Sequence, residues 1–115
     1  MKLTIEGKLP SANEYINAER TYRYIAAKMK REATEMVAWQ CKSLEPITKL
    51  ADYTFTWYTK NLRADPDNVS FAVKFVLDGL QSAGKLPNDS RKYVKSIHHE
   101  FAVGEPKVVV DIKQI

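Results

Sequence analysis

Asp65-Pro66-Asp67-Asn68 and, further along, Asn88-Asp89-Ser90 place three carboxylates at turn and helix-end positions of a chain whose formal net charge is +4. Hard divalent cations take oxygen ligands and keep some coordination positions for water and phosphate oxygens. Carboxylates held at turns in an otherwise basic protein therefore fit a cation that polarises a phosphodiester and activates a water for attack. The chemistry so described is that of a nuclease. Asp65 and Asp67 are separated by one residue, which in an extended segment sends both carboxylates to the same side, while Pro66 fixes part of the backbone between them. Structural alternatives stand beside this reading. Asp67 or Asn68 has the residue type of a helix N-cap ahead of an apolar run, and Asn88-Asp89-Ser90, following Pro87, has the composition of a polar turn. Capping accounts for one acid and leaves Asp65 and Asp89 unexplained.

Basic residues are densest where Arg20, Arg23, Lys28, Lys30 and Arg31 gather around Tyr22 and Tyr24. Cations of this kind neutralise phosphates, and exposed aromatic rings stack on unpaired bases; a solvated helix face is the alternative. A pI near 9.2 agrees with an anionic partner. With 44% hydrophobic and 28% charged residues, the composition is that of a water-soluble globular domain, and no apolar stretch is long enough to span a bilayer. Met1-Lys2-Leu3-Thr4-Ile5-Glu6 alternates polar and apolar residues instead of forming the apolar block of a secretory signal, so residence in the cytoplasm is expected. The lone Cys41 has no thiol partner and no neighbouring ligand at metal-binding spacing, which makes it a structural thiol. His98 and His99, adjacent on a strand, point to opposite faces and share no site.

Positioning these groups falls to a chain of 115 residues, one domain in size, spanning 1–115. Lys2 to Lys8 reads as a strand ending at Gly7, followed by a loop through Ser11, Asn13 and Asn17. Ile25, Met29, Ala33, Met36 and Val37 recur at helical spacing and predict a long amphipathic helix from about Tyr22 to Leu44, stopped before Pro46. Leu50 to Thr59 alternates strictly, with Tyr53, Phe55 and Trp57 on the face to be buried. Val69, Ala72, Val73, Val76, Leu77 and Leu80 line a second helix that stops at Gly84. Tyr93-Val94 to Val103 and Lys107 to Ile112, around Gly104-Glu105-Pro106, read as a terminal hairpin. The fold class is α/β: a mixed sheet of about four strands packed with two main helices. Phe71 and Phe75 lie off the Val/Leu stripe and pack either against another chain or in a second core layer of the same one.

The block Asp65-Pro66-Asp67-Asn68, Lys74, Leu77-Asp78-Gly79-Leu80, Gly84 and Asn88-Asp89-Ser90 resembles the RusA family of Holliday-junction endodeoxyribonucleases, especially the versions carried by phages and prophages. Its members show an acidic Asp-x-Asp-Asn segment, a helix ending in Asp-(Ala/Gly)-Leu, and a later Asp-Asp or Asn-Asp. Gly7, Pro10-Ser11, Asn13, Tyr15, Arg20 and Tyr24 are similar to the family's amino-terminal pattern, so the resemblance covers essentially the whole chain. It implies a dimeric enzyme, dependent on Mg²⁺ with Mn²⁺ as a substitute, that makes paired nicks in four-way DNA junctions. Asp65, Asp67 and Asp89 stand at the positions of the catalytic, metal-binding aspartates, and Lys74 at that of a functional lysine. In shorter forms of the motif the lysine lies three residues closer to the acids, a position taken here by Phe71. A surface ion pair with Asp78, four residues on, is the alternative role for Lys74, worth about 0.3–0.5 kcal/mol. A C2 dimer suits the near two-fold symmetry of a junction. The competing readings are a non-catalytic DNA-binding or replication-accessory protein, and a nuclease for other branched DNA such as forks.

Overall fold

The computed structural model describes residues 1–115, and the chain runs β1 (Lys2–Glu6), α1 (Ala12–Thr21), α2 (Arg23–Gln40), β2 (Ala51–Thr59), α3 (Pro66–Ser70), α4 (Val73–Ser82), β3 (Val94–Val103), β4 (Lys107–Gln114). Alternation decides what the strands bury, because successive side chains leave a strand on opposite faces. Tyr53, Phe55 and Trp57 of β2, Leu3 and Ile5 of β1, and Val108, Val110 and Ile112 of β4 all turn to one side of the sheet. There they meet Ala33 and Val37 of α2 and Phe75, Val76 and Leu80 of α4 in a single core. Each large apolar side chain removed from water in this way contributes roughly 1.5–3 kcal/mol. The opposite sheet face carries Thr4, Asp52, Thr54, Thr56, Asp111 and Lys113, all of them exposed or half-buried. The result is two layers, a four-stranded mixed sheet with helices on one face, as the residue pattern predicts. No helix is long and apolar enough to cross a membrane.

The strand order is β1-β4-β2-β3. β4 lies antiparallel to both β1 and β2, whereas β2 and β3 are parallel neighbours, Ala51 beside Val94 and Thr59 beside Val103. The expected hairpin of the last two strands is therefore not formed. β2 sits between them, and the Gly104-Glu105-Pro106 connection crosses its end, with Gly104 N–H donating to the Thr59 carbonyl at 2.8 Å and Gly7 N–H to the Pro106 carbonyl at 3.0 Å. Parallel neighbours need a long crossover, and α3 with α4 supplies it.

The helices also depart from expectation. Residues 12–21, expected as loop, are helix α1, started by a capping box: Glu14 N–H donates to Ser11 Oγ and Ser11 N–H to Glu14 Oε1, both at 3.2 Å. Ser-x-x-Glu is a start signal present in the sequence. Extended backbone at Tyr22 (φ −152°, ψ 137°) separates α1 from α2, which ends at Gln40 instead of Leu44. The second predicted helix is broken at Phe71-Ala72 into α3 and α4. Its stop is as expected: Gly84, at φ +73°, closes a Schellman cap in which Lys85 N–H reaches the Leu80 carbonyl at 2.8 Å and Gly84 N–H the Gln81 carbonyl at 3.0 Å.

Candidate active site

Pro66 opens α3, so its missing N–H costs nothing there, and the preceding residue is held extended, as a residue before proline prefers. Asp65 accordingly has φ −70° and ψ 148° at the N-cap position, but its side chain makes no capping hydrogen bond. Asp67 lies in the first helical turn, not in the continuous extended segment expected for the pair. Its Oδ1 accepts only the N–H of Asn68, at 2.9 Å. Asn68 in turn accepts the N–H of Asn13 at 2.8 Å and so ties α3 to α1. Neither Asp67 nor Asn68 caps α4, whose start carries no side-chain cap.

Asp89 is likewise free of a structural task. The turn before β3 is built by its neighbours: Asn88 Oδ1 accepts the Ser90 N–H at 3.0 Å and Ser90 Oγ the Lys92 N–H at 3.3 Å. The exposed carboxylates of Asp65 and Asp89 thus lack the cap and turn roles that offered the simplest account of them.

The three acids do not meet within one chain. Asp65 and Asp67 follow the carboxyl end of β2, while Asp89 precedes the amino end of β3, and these strands are parallel. The two acidic segments therefore lie at opposite ends of a nine-residue strand, about 25–30 Å of extended backbone. No group of three His, Cys, Asp or Glu side chains is close enough to hold a metal ion.

At the end that carries Asp65 and Asp67, a cleft of about 510 Å³ opens between the β2 terminus, the β1–α1 connection and α3, lined by Lys8, Lys60, Lys107, Ser11, Asn61 and Asn68 over Trp57 and Tyr58. Lys107 Nζ lies 4.8 Å from the centre of the Tyr58 ring. Lys8 reaches Glu14 at 3.5 Å, an exposed pair of small energetic weight that leaves the ammonium available. Three lysines and two amides around a cleft suit an anionic chain such as a DNA backbone. They come from segments far apart in sequence, and no local run of charge announces them.

Lys74 does not pair with Asp78; the ion pairs present are Lys8–Glu14 and Lys28–Glu32. Its ammonium instead faces three rings, with centroids at 5.1 Å for Tyr15, 5.7 Å for Phe71 and 5.9 Å for Phe75, an interaction of about 0.5–1 kcal/mol. Those rings resolve the choice left open for Phe71 and Phe75. Phe75 is fully buried and Tyr15 packs against both phenylalanines, so the pair belongs to the chain's own single core, Phe75 within it and Phe71 packed against it, and no second layer forms.

The basic segment is solvent-facing throughout. Arg20 lies in the last turn of α1, while Arg23, Lys28, Lys30 and Arg31 are exposed on α2, and Tyr22 and Tyr24 stay on the surface with ring centroids 5.5 Å apart. Arg23 and Lys30, seven residues apart, share a stripe of the helix; Lys28 lies off it and pairs with Glu32 at 3.8 Å.

His98 and His99 point to opposite faces, as alternation requires. His99 turns to the helix side, where its Nδ1 accepts the Trp57 Nε1–H at 2.9 Å. Burial, with His98 adding a smaller electrostatic effect, pushes its pKa below the usual imidazole value, so the neutral ring carrying its proton on Nε2 is the form that fits. Cys41 is fully buried, and loss of solvation raises its thiol to about 11 against a smaller opposing effect of Lys85; it is a structural thiol. Compared with models of known protein families and with curated proteins, the chain matches none.

Proposed function

We propose that this protein is a divalent-metal-dependent endodeoxyribonuclease acting on branched DNA inside the cell, with the four-way junction as its first substrate and paired symmetric nicks as its product. The observation that carries the reading is that Asp65 and Asp89 expose carboxylates with no cap or turn role, and that Asp65 and Asp67 stand beside a lysine-lined cleft. The resemblance of the surrounding block to RusA-type resolvases supports the same substrate. The donor set fits a hard cation at the carboxyl end of β2: Asp65 and Asp67 would hold Mg²⁺ or Mn²⁺, while Asp89 of the same chain stands at the other end of the strand. When bound, such an ion polarises the scissile phosphate and makes a nearby water more acidic. Lys8, Lys60 and Lys107 hold the flanking phosphates and fix strand direction, which lowers the entropic cost of alignment. Lys74, its charge resting on aromatic rings and paired with no carboxylate, is the cation for the developing charge on the phosphate.

A second reading, a non-catalytic DNA-binding or replication-accessory protein, is favoured by the separation of Asp89 from Asp65 and Asp67 along β2. Incubation of purified protein with labelled four-way junctions, forks and linear duplex, in Mg²⁺, Mn²⁺ or chelator, decides between them. Metal-dependent symmetric nicks on the junction, lost in Asp65→Asn and Asp67→Asn variants that still bind it, are expected. Binding without cutting in either metal refutes the nuclease. Cutting of forks in preference to junctions moves the substrate to another branched form.

A further inference from the structure

Helical spacing sends Ala26, Ala33 and Val37 of α2 into the core and turns a different set of residues outward. Tyr24, Lys28, Arg31, Glu35 and Trp39 follow one another at steps of three and four residues and form one exposed stripe. Tyr24 is 68% exposed and Trp39 70%. Just past the helix, Lys42 sets its ammonium 3.6 Å from the centre of the Trp39 ring, so one face of the indole rests under a cation and the other is open. At the opposite end Tyr22, 58% exposed, lies beside Tyr24 with ring centroids 5.5 Å apart. Two aromatic platforms thus stand about 22 Å apart along the helix axis.

We infer that this stripe is a binding site for an unpaired DNA strand, separate from the lysine-lined cleft, in which Tyr24 and Trp39 each stack on a base and Lys28, Arg31 and Lys42 hold the phosphates between them. That the strand is DNA rests on the nuclease reading; the site itself does not.

Charge and ring type select this occupant. From Arg20 to Lys42 six cations stand against two carboxylates, Glu32 and Glu35, and Glu32 is already in an exposed pair with Lys28 at 3.8 Å. An interface with another protein is apolar at its centre and poor in lysine, and a helix lying in a membrane surface presents leucine or phenylalanine. Between the two platforms the stripe has no aliphatic side chain larger than alanine. Cations set between exposed rings suit a single strand, because every base has a face to stack and every nucleotide a phosphate to neutralise. In a duplex the bases are already stacked on one another and leave such rings without a partner. At a stacked spacing of about 3.4 Å per nucleotide the platforms are about six nucleotides apart, and fewer when the strand is stretched.

The stripe is also continuous with the cleft. Lys8, which lines the cleft, lines as well a groove of about 390 Å³ against α2, together with Leu9, Pro10, Lys28 and Met29. A strand leaving the cleft past Lys8 meets Lys28 next, and Lys28 lies between the two platforms. The basic and aromatic residues of α2, which the cleft does not use, thereby extend the path of the strand that the cleft holds.

Oligodeoxythymidylate tests the site in chelator, where nothing is cut. A strand of about ten nucleotides, within the range that single-strand sites cover, should quench the tryptophan fluorescence of the protein. Trp39→Phe should abolish the quenching and keep the binding, since the remaining Trp57 is 3% exposed and phenylalanine still stacks. Trp39→Ala and Tyr24→Ala should each weaken binding at least about five-fold, and a trinucleotide, which reaches one platform only, should lose at least as much. Unchanged affinity in both alanine variants, or quenching that survives Trp39→Phe, overturns the site. Tighter binding of oligouridylate than of oligodeoxythymidylate overturns the DNA occupant. A blue shift of Trp39 emission with phosphatidylserine vesicles, and no response to the oligonucleotide, gives the face to a membrane surface and overturns the proposal. A protein that binds the strand through Trp39 but cuts no branched DNA in Mg²⁺ or Mn²⁺ loses the nuclease reading and keeps the site. One that cuts junctions and binds the strand equally well as Trp39→Ala and Tyr24→Ala keeps the nuclease reading and loses the site.

Discussion

Replacing Gly79 with alanine would ordinarily help a helix, since alanine is favoured over glycine in a helix interior by about 1 kcal/mol. Here the sign should reverse. A Cβ at position 79 would lie 2.4 Å from Val37 Cγ1, 2.5 Å from Val37 Cβ and 3.1 Å from the Thr34 carbonyl oxygen, whereas carbon atoms pack at about 3.5–4.0 Å. Rotating Val37 about χ1 moves Cγ1 away but leaves Cβ where the backbone puts it. Relief therefore requires α2 and α4 to separate by about 1 Å, in a core where Val37, Phe75, Val76 and Leu80 have no exposed surface. Overpacking of this kind costs about 1–3 kcal/mol, so the net destabilisation for Gly79→Ala is about 0–2 kcal/mol after the propensity gain, toward the upper end for so close an approach. Urea unfolding followed by circular dichroism should show a lower midpoint with an unchanged slope, and melting should fall by about 4 °C for each kcal/mol of destabilisation. Adding Val37→Ala removes the clash with Cγ1 and keeps that with Cβ, so the double variant should be less destabilised than the sum of the two singles. A Gly79→Ala protein as stable as wild type, or more so, would refute the close approach of α2 and α4.

Other outcomes follow from the surface and the titrating groups. Neutralising Lys8, Lys60 and Lys107 together should weaken junction binding and reduce the salt slope by about 0.9 for each phosphate no longer neutralised; a slope that instead moves only with Arg20→Gln and Arg23→Gln would place the DNA on α2. His99, neutral in the fold, is protonated first in the unfolded chain, so its contribution to stability is complete above about pH 6.5 and declines as the pH falls toward its lowered folded value. Melting temperatures at about pH 7.5 and pH 5 should differ more for wild type than for His99→Gln, and equal differences would remove His99 as the cause. Cys41, with its thiol raised to about 11, should resist thiol reagents in the native protein and react on unfolding; rapid native labelling would contradict its burial.

The strand over Ala51–Thr59 and its buried face, and the helix through Val76 and Leu80, could be read from local patterns alone, because strict alternation and a helical apolar stripe have one physical solution each. The stop at Gly84 was legible for the same reason, a positive φ that glycine adopts without strain. The start of α1 was written as Ser11 and Glu14, although its few apolar positions hid the helix behind loop-like asparagines. Partner choice was not legible. The patterns of Val94–Val103 and Lys107–Gln114 specify strands but carry nothing about neighbours, and only the core, by setting β2 between them, decided that the nearby segments would not pair. The lysines of the cleft and the rings under Lys74 were likewise assembled by folding from distant segments. The residue types of the acids suggested metal-ion chemistry as an expectation, and their distance from one another belongs to the tertiary structure. A crossover between parallel strands returns the chain to the end it started from, so acids on either side of that crossover end up a strand's length apart.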